Sequence, residues 1–372
     1  MKDGNDRTIA RNGQVIELGE EPGSPIVVKI GVNNGPIGGI AATPDGSRLL
    51  VTNYGDDSVS VVDAATCRVT GTFAGMGEAS AIAAAGPDAG RAYVRTATTA
   101  YDAIAIIDLA THTVVASHRL AHSVSDLVVS PDGARVYAGR TGAGVADVAV
   151  LDTTTGAVET VDLTAAVHTV GAADAWAPTV DRLRLSPDGV HLYVAAGGRL
   201  VVVETGARSG DGARTVDTLD IGLPIRDVAL SPDGTLAYVL SSAPELGAVI
   251  DVVDTRTRRI TGTRKLGEIT GVVTGLTLSG DGDRAYLVSD EGITVLCTLT
   301  QDVLGSVGVA DQPSCVVESP DGTYLYIAEY SGAITVAPVA SIVAPGIECP
   351  GRASGSAEWV VPELVEDAPA LV

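Results

Sequence analysis

The chain has 372 residues, with 24 Lys and Arg against 46 Asp and Glu, and a formal net charge of −22. A field of that sign repels phosphate backbones and anionic lipid, and two Trp and one Phe offer few stacking platforms, so nucleic acid is not an expected partner. No apolar run reaches the ~18 residues of a membrane span, and the length alone would allow two domains.

The first 24 residues read as an extension. Arg11-Asn-Gly-Gln14 is a hairpin turn pattern, and Met1-Lys-Asp-Gly-Asn-Asp lacks the apolar core of a signal peptide. The expectation is a cytoplasmic protein as given, or an exported one whose signal has been removed. Heavy use of Ala, Gly, Val and Arg points to a GC-rich, actinobacterial type of genome. Pro25-Ile-Val-Val-Lys-Ile-Gly-Val32 then reads as a strand with no partner nearby in sequence.

From there one phrase recurs seven times: Thr43-Pro-Asp-Gly46, Gly86-Pro-Asp-Ala89, Ser130-Pro-Asp-Gly133, Ser186-Pro-Asp-Gly189, Ser231-Pro-Asp-Gly234, Ser279-Gly-Asp-Gly282 and Ser319-Pro-Asp-Gly322. The anchor aspartates Asp45, Asp88, Asp132, Asp188, Asp233, Asp281 and Asp321 lie 43, 44, 56, 45, 48 and 40 residues apart. A period in that range with several short strands per unit is that of propeller blades. The unit over 226–263 holds an apolar run at Asp227–Ser231, a Pro-Asp-Gly turn, runs at Leu236–Leu240 and Ala248–Val253, a polar turn from Asp254, and a run from Arg259: four strands of an antiparallel meander. Five residues after six of the seven anchors stands a tyrosine, Tyr93, Tyr137, Tyr193, Tyr238, Tyr286 and Tyr326, with Leu50 in the first unit; these are read as packing between blades.

The chain is therefore expected to be all-β: a seven-bladed β-propeller of four-stranded antiparallel blades over 25–340, with the 25–32 strand closing the ring in the last blade and a Pro-, Gly- and acid-rich tail over 341–372. A meander places the Pro-Asp-Gly turns and the turns between third and fourth strands on one face. The remaining loops and the inter-blade links fall on the other, here called the loop face. The recurrent carboxylates at Asp63, Asp108, Asp152 and Asp254 are read as turn caps rather than metal ligands.

The stretch Leu50-Val-Thr-Asn-Tyr-Gly-Asp-Asp-Ser-Val-Ser-Val-Val-Asp-Ala-Ala-Thr66 closely resembles the signature of the YVTN family of bacterial β-propeller repeat proteins, and 132–155 and 233–257 repeat it more loosely. The resemblance covers roughly 26–340. It implies the propeller fold and a surface-layer, export-associated or interaction role, and it supplies no catalytic residues.

Candidate chemistry is sparse. Six residues before their anchors, the inner strands of units three to five begin with Asp126, Arg182 and Asp227, flanked by Asp181 and Arg226, with Arg95 and Arg140 in nearby loops. Such groups converging at the channel mouth would hold a small polar or anionic ligand, or seal the channel as a salt-bridge network. The 56-residue spacing places an insertion at 161–181 that carries His168 and Trp176, a lid or recognition candidate. His122 with Asp126 is the one pairing suited to general-base chemistry. A divalent metal held by Asp126, Asp227 and Glu291 is a third reading, but no Cys/His spacing for zinc occurs, and neither a metal nor a cofactor is expected. Of the four cysteines, Cys315 is read as a buried thiol, and Cys349 with Cys67 or Cys297 as the favoured pair if one forms. The leading functional reading is a monomeric, non-enzymatic scaffold that presents its loop face to a protein, peptide or glycan. The alternative is a lactonase-like hydrolase or small-ligand binder using the channel mouth.

Overall fold

The computed structural model describes residues 15–17, 28–32, 35–85, 90–167, 179–207, 212–243, 246–267, 269, 271–309 and 311–343. Six four-stranded antiparallel sheets and one five-stranded sheet follow one another along the chain. Blade 5 shows the logic. Its strands are Ile225–Leu230, Leu236–Ala243, Gly247–Asp254 and Arg259–Leu266, from the channel outward. The two middle strands are covered on both faces by neighbouring blades, so they read as near-continuous apolar runs. The outermost strand meets solvent, and its exposure alternates. The repeat tyrosines lie between blades, none more than 4% exposed, and Leu50 replaces them at 0% in blade 1.

The recurrent phrase is both a turn and an inter-blade contact. In blade 5 the Ser231 hydroxyl donates to Asp233 Oδ1 at 2.6 Å and accepts the Leu236 N–H at 2.9 Å, while Asp233 accepts the Thr235 N–H at 3.0 Å. Gly234 sits at φ +70°, and a Cβ there would lie 3.2 Å from Pro187 of blade 4. The same proline-on-glycine contact crosses the ring junction, where Gly46 of blade 1 rests on Pro320 of blade 7. The other turns on this face are capped as expected: Asp254 Oδ1 accepts both the backbone N–H of Thr257 at 2.6 Å and its hydroxyl at 2.7 Å.

Closure is made by Val28–Gly31, which pairs antiparallel with Ala333–Pro338 as the fourth strand of blade 7. Lys29 carries an ammonium into this junction, 2.7 Å from Glu329, whose side chain is 0% exposed and also accepts from the Thr335 hydroxyl. The extension contributes more than the sequence suggested: Val15–Glu17 pairs with Val28–Gly31 as a fifth strand. This pairing spans residues 18–27, whereas the Asn12-Gly13 turn pattern lies outside the described residues. After the last blade strand the chain makes one helical turn, Val339–Ile342.

Two expectations follow. Lys29→Met leaves Glu329 buried and unpaired, so stability should fall by about 3–5 kcal/mol in urea unfolding, and Lys29→Met with Glu329→Met should recover most of it; equal midpoints for wild type and Lys29→Met would contradict the closure role. The Thr43 and Ser130 hydroxyls hold the Asp45 and Asp132 carboxyls below their ordinary value of 3.8. With folded pKa values depressed, the stability these turns contribute is present above pH 3.8 and lost as pH falls through the lower folded values. Urea midpoints measured from pH 6 down to pH 2 should drop only in that acidic window.

Candidate functional site

The seven inner strands surround a central channel with a cavity of about 610 Å³, lined in part by Gly39, Asp126, Arg182, Arg184, Asp227 and Cys315. Five inner strands carry a β-bulge at their start, and the residue just after it, six before the anchor, is Gly39, Asp126, Asp227, Gly275 or Cys315. A bulge re-aims a side chain, and here it turns this residue toward the inner strand of the next blade. Asp126 Oδ2 of blade 3 accepts the Leu183 N–H of blade 4 at 3.0 Å. Asp227 Oδ2 of blade 5 accepts the Leu276 N–H of blade 6 at 3.0 Å. In blade 7 the Ile40 N–H of blade 1 is placed to donate to Cys315 Sγ. This position thus supplies an acceptor for the following blade where it is Asp126, Asp227 or Cys315; Gly39 and Gly275 have no side chain to do so.

Arg184 ties two of these carboxylates together. Its Nη1 donates to Asp126 Oδ2 at 3.2 Å and its Nη2 to Asp227 Oδ1 at 2.7 Å, so one guanidinium on blade 4 links blades 3 and 5. Burial opposes its charge, but Asp227 and then Asp126 outweigh burial and push its pKa above the ordinary value. Counting from the anchors singles out Arg182, yet the bridging arginine stands two residues further along the same strand. Period-2 geometry puts both on one face of the strand, and spacing alone does not select between them.

Arg182 lines the same cavity, and its one hydrogen bond among the described residues runs from Nη1 to the Asp181 carbonyl at 3.2 Å. Arg226 is exposed on the loop face, bonded through Nε to Ser242 Oγ at 2.7 Å, outside the channel. Arg95 pairs within blade 2 with Asp102 at 2.9 Å. Arg140 makes a buried bidentate pair with Asp147 in blade 3, at 2.6 and 3.0 Å, and a third bond to Thr160. Asp126 bonds to Leu127, Leu183 and Arg184, and among the described residues none of its bonds goes to His122, which packs instead on Gly142. The general-base pairing of His122 with Asp126 read from the sequence is therefore not hydrogen-bonded in this geometry. His168 and Trp176 lie outside the described residues; the chain before them forms a helical turn at Thr164–Val167. Among the described residues no group of three or more His, Cys, Asp or Glu side chains is placed to hold a metal ion.

Cys297 is disulfide-bonded, Cys67 and Cys315 are free, and the expected partner Cys349 lies outside the described residues. Burial pushes the Cys315 thiol up to about 11, so it is protonated at neutral pH. At pH 8 it should react with iodoacetamide about a hundredfold more slowly than free cysteine, and Cys297 should be alkylated only after reduction; rapid native labelling of Cys315 would contradict the buried placement.

With this geometry in hand, comparison with known proteins is specific for architecture. The chain is 51% identical over 390 aligned positions to the seven-bladed beta-propeller protein Rv1057 of Mycobacterium tuberculosis, spanning 99% of each. No protein-family model matches. Among solved structures, Kuenenia stuttgartiensis hydrazine synthase superposes with a TM-score of 0.70 at 22% identity over 87% of this chain and 100% of that one, a likeness of fold alone.

Proposed function

This chain belongs to the family of seven-bladed β-propeller proteins that includes Rv1057, and we propose that it is a non-enzymatic scaffold whose loop face receives a protein, peptide or glycan. The observation that carries this reading is how the polar groups are used. Asp126, Arg184 and Asp227 are bonded to one another and to neighbouring inner strands, while the loop face leaves Tyr54, Leu246, Val272 and Tyr330 39–58% exposed. Exposed aromatic and aliphatic groups on a rigid frame are recognition chemistry. The YVTN-like stretch at 50–66 supports the same class of role. The measurement is affinity capture from host lysate read by quantitative mass spectrometry, with Tyr330→Asp and Val272→Asp on the loop face and Leu299→Asp and Tyr324→Asp on the opposite face. Proteins retained by wild type should be lost from a loop-face variant and kept by both opposite-face variants; identical retention by all four would refute the reading.

A small anionic ligand in the channel is a second reading, favoured by Arg182, which lines the cavity with no carboxylate partner among the described residues. Millimolar phosphate or citrate should then raise the melting temperature of wild type but not of Arg182→Gln, and an equal response of both would remove it.

A further inference from the structure

Sevenfold repetition makes each blade a control for the others. The residue nine after each anchor, at the end of the second strand or just past it, is Tyr54, Ala97, Thr141, Gly197, Ser242, Asp290 or Tyr330. Its structural duty belongs to the backbone: the N–H donates to a carbonyl of the link entering the same blade, Tyr54 to Pro36 at 3.0 Å, Ala97 to Gly77 at 3.3 Å, Ser242 to Pro224 at 3.2 Å, Asp290 to Val272 at 3.2 Å and Tyr330 to Gln312 at 3.0 Å. Where the side chain is used locally it is short and polar: Thr141 accepts the Val180 N–H at 3.0 Å, and Asp290 that of Val272. No such duty asks for an aromatic ring. Yet blades 7 and 1, whose inner strands Pro313–Glu318 and Ile37–Ala42 pack together, both carry tyrosine here, 51% and 43% exposed. The chain has ten tyrosines, and six are spent between blades, so two of the remaining four stand at this one position in adjacent blades.

Among the described residues, the exposed charges beside them are acidic. Asp56 follows Tyr54 in an exposed loop, Glu78 is exposed in the link after blade 1, and Asp311 precedes blade 7 with a side chain 52% exposed. Lys29, a cation of this sector, is committed at 2.7 Å to the buried Glu329, with Asp311 more distant at 3.7 Å. Phenol faces beside carboxylates, with Lys29 already spent, complement a guanidinium, which stacks on a ring and bonds to a carboxylate at once. We propose that the loop face of blades 7 and 1 binds an arginine-bearing basic segment of a partner protein, with Tyr54 and Tyr330 as stacking platforms and Asp56 and Asp311 as carboxylate anchors. This rests on the loop-face scaffold reading and gives it a place and a partner chemistry.

The test is fluorescence anisotropy with a labelled ten-residue peptide of alternating Arg and Gly, at about 0.15 M salt so that unspecific attraction to the acidic surface is screened. Wild type should bind it, and Tyr54→Ala/Tyr330→Ala, with melting temperature unchanged, should bind it about tenfold or more weakly. Leu246→Ala/Val272→Ala, elsewhere on the loop face, should match wild type. Equal affinity of wild type and the tyrosine variant, or no binding by wild type, overturns the proposal. Loss confined to the Leu246/Val272 variant overturns the sector while leaving the loop face standing. The loop-face reading itself fails only if the capture experiment also shows no dependence on that face.

Discussion

A ring of blades is stable only if its last blade is completed by its first strand, and the rest of the molecule follows from that constraint. Each blade buries both faces of its middle strands against neighbours, so an unclosed ring would leave one blade face and a sheet edge in water. Here the closing strand Val28–Gly31 brings a charged side chain with it. Lys29 is accommodated because Glu329 waits for it with no exposed surface of its own, and such a pair costs more to break than to keep. The proline-on-glycine contact from Pro320 to Gly46 carries the blade-to-blade packing across the same junction. Closure also decides where recognition can occur: strand edges and blade faces are consumed, and loops remain.

The channel shows the same economy of polar groups. Inner strands present backbone N–H groups to one another at angles that sheet pairing does not satisfy, and a buried donor without a partner is costly. The bulge that opens the inner strand aims one side chain at the neighbour's N–H, and Asp126, Asp227 and Cys315 each meet such a donor. Two carboxylates so placed need a counter-charge, and Arg184 supplies it to both. Asp126 and Asp227, which the sequence groups at the channel mouth, are bonded through Arg184 and through backbone N–H groups across blades 3 to 6.

The fold was legible in the sequence because the repeat writes its physical instructions again and again: a turn phrase seven times, a tyrosine between blades six times, and a capped polar turn at Asp63, Asp108, Asp152 and Asp254. The closing strand was legible as an apolar run without a neighbour. The fifth strand at Val15–Glu17 was not, since three residues carry too little periodic pattern. At the channel, Asp126 and Asp227 stand out by their place relative to the anchor, but the same count selects Arg182 rather than the bridging Arg184, because bulge geometry and side-chain reach are not written in spacing. Arg95 and Arg140 were grouped with the channel by position, whereas both pair inside their own blades. The position of Tyr54 and Tyr330 is a matter of blade geometry: its backbone N–H is used by the fold, and where a side chain is used it is short and polar, as at Thr141 and Asp290.

The inner charges Asp126, Arg184 and Asp227 link blades 3 to 6, and the proposal that recognition is left to the rim depends on that linkage. A double-mutant cycle in urea unfolding with Arg184→Met, Asp227→Leu and the pair tests it most directly. The expected result is a favourable coupling of about 1.5 kcal/mol or more between them, with the double variant closer to wild type than Arg184→Met alone. Coupling near zero, with each single variant as stable as wild type, would show that these groups are not spent on the fold and would return the channel to the search for a ligand.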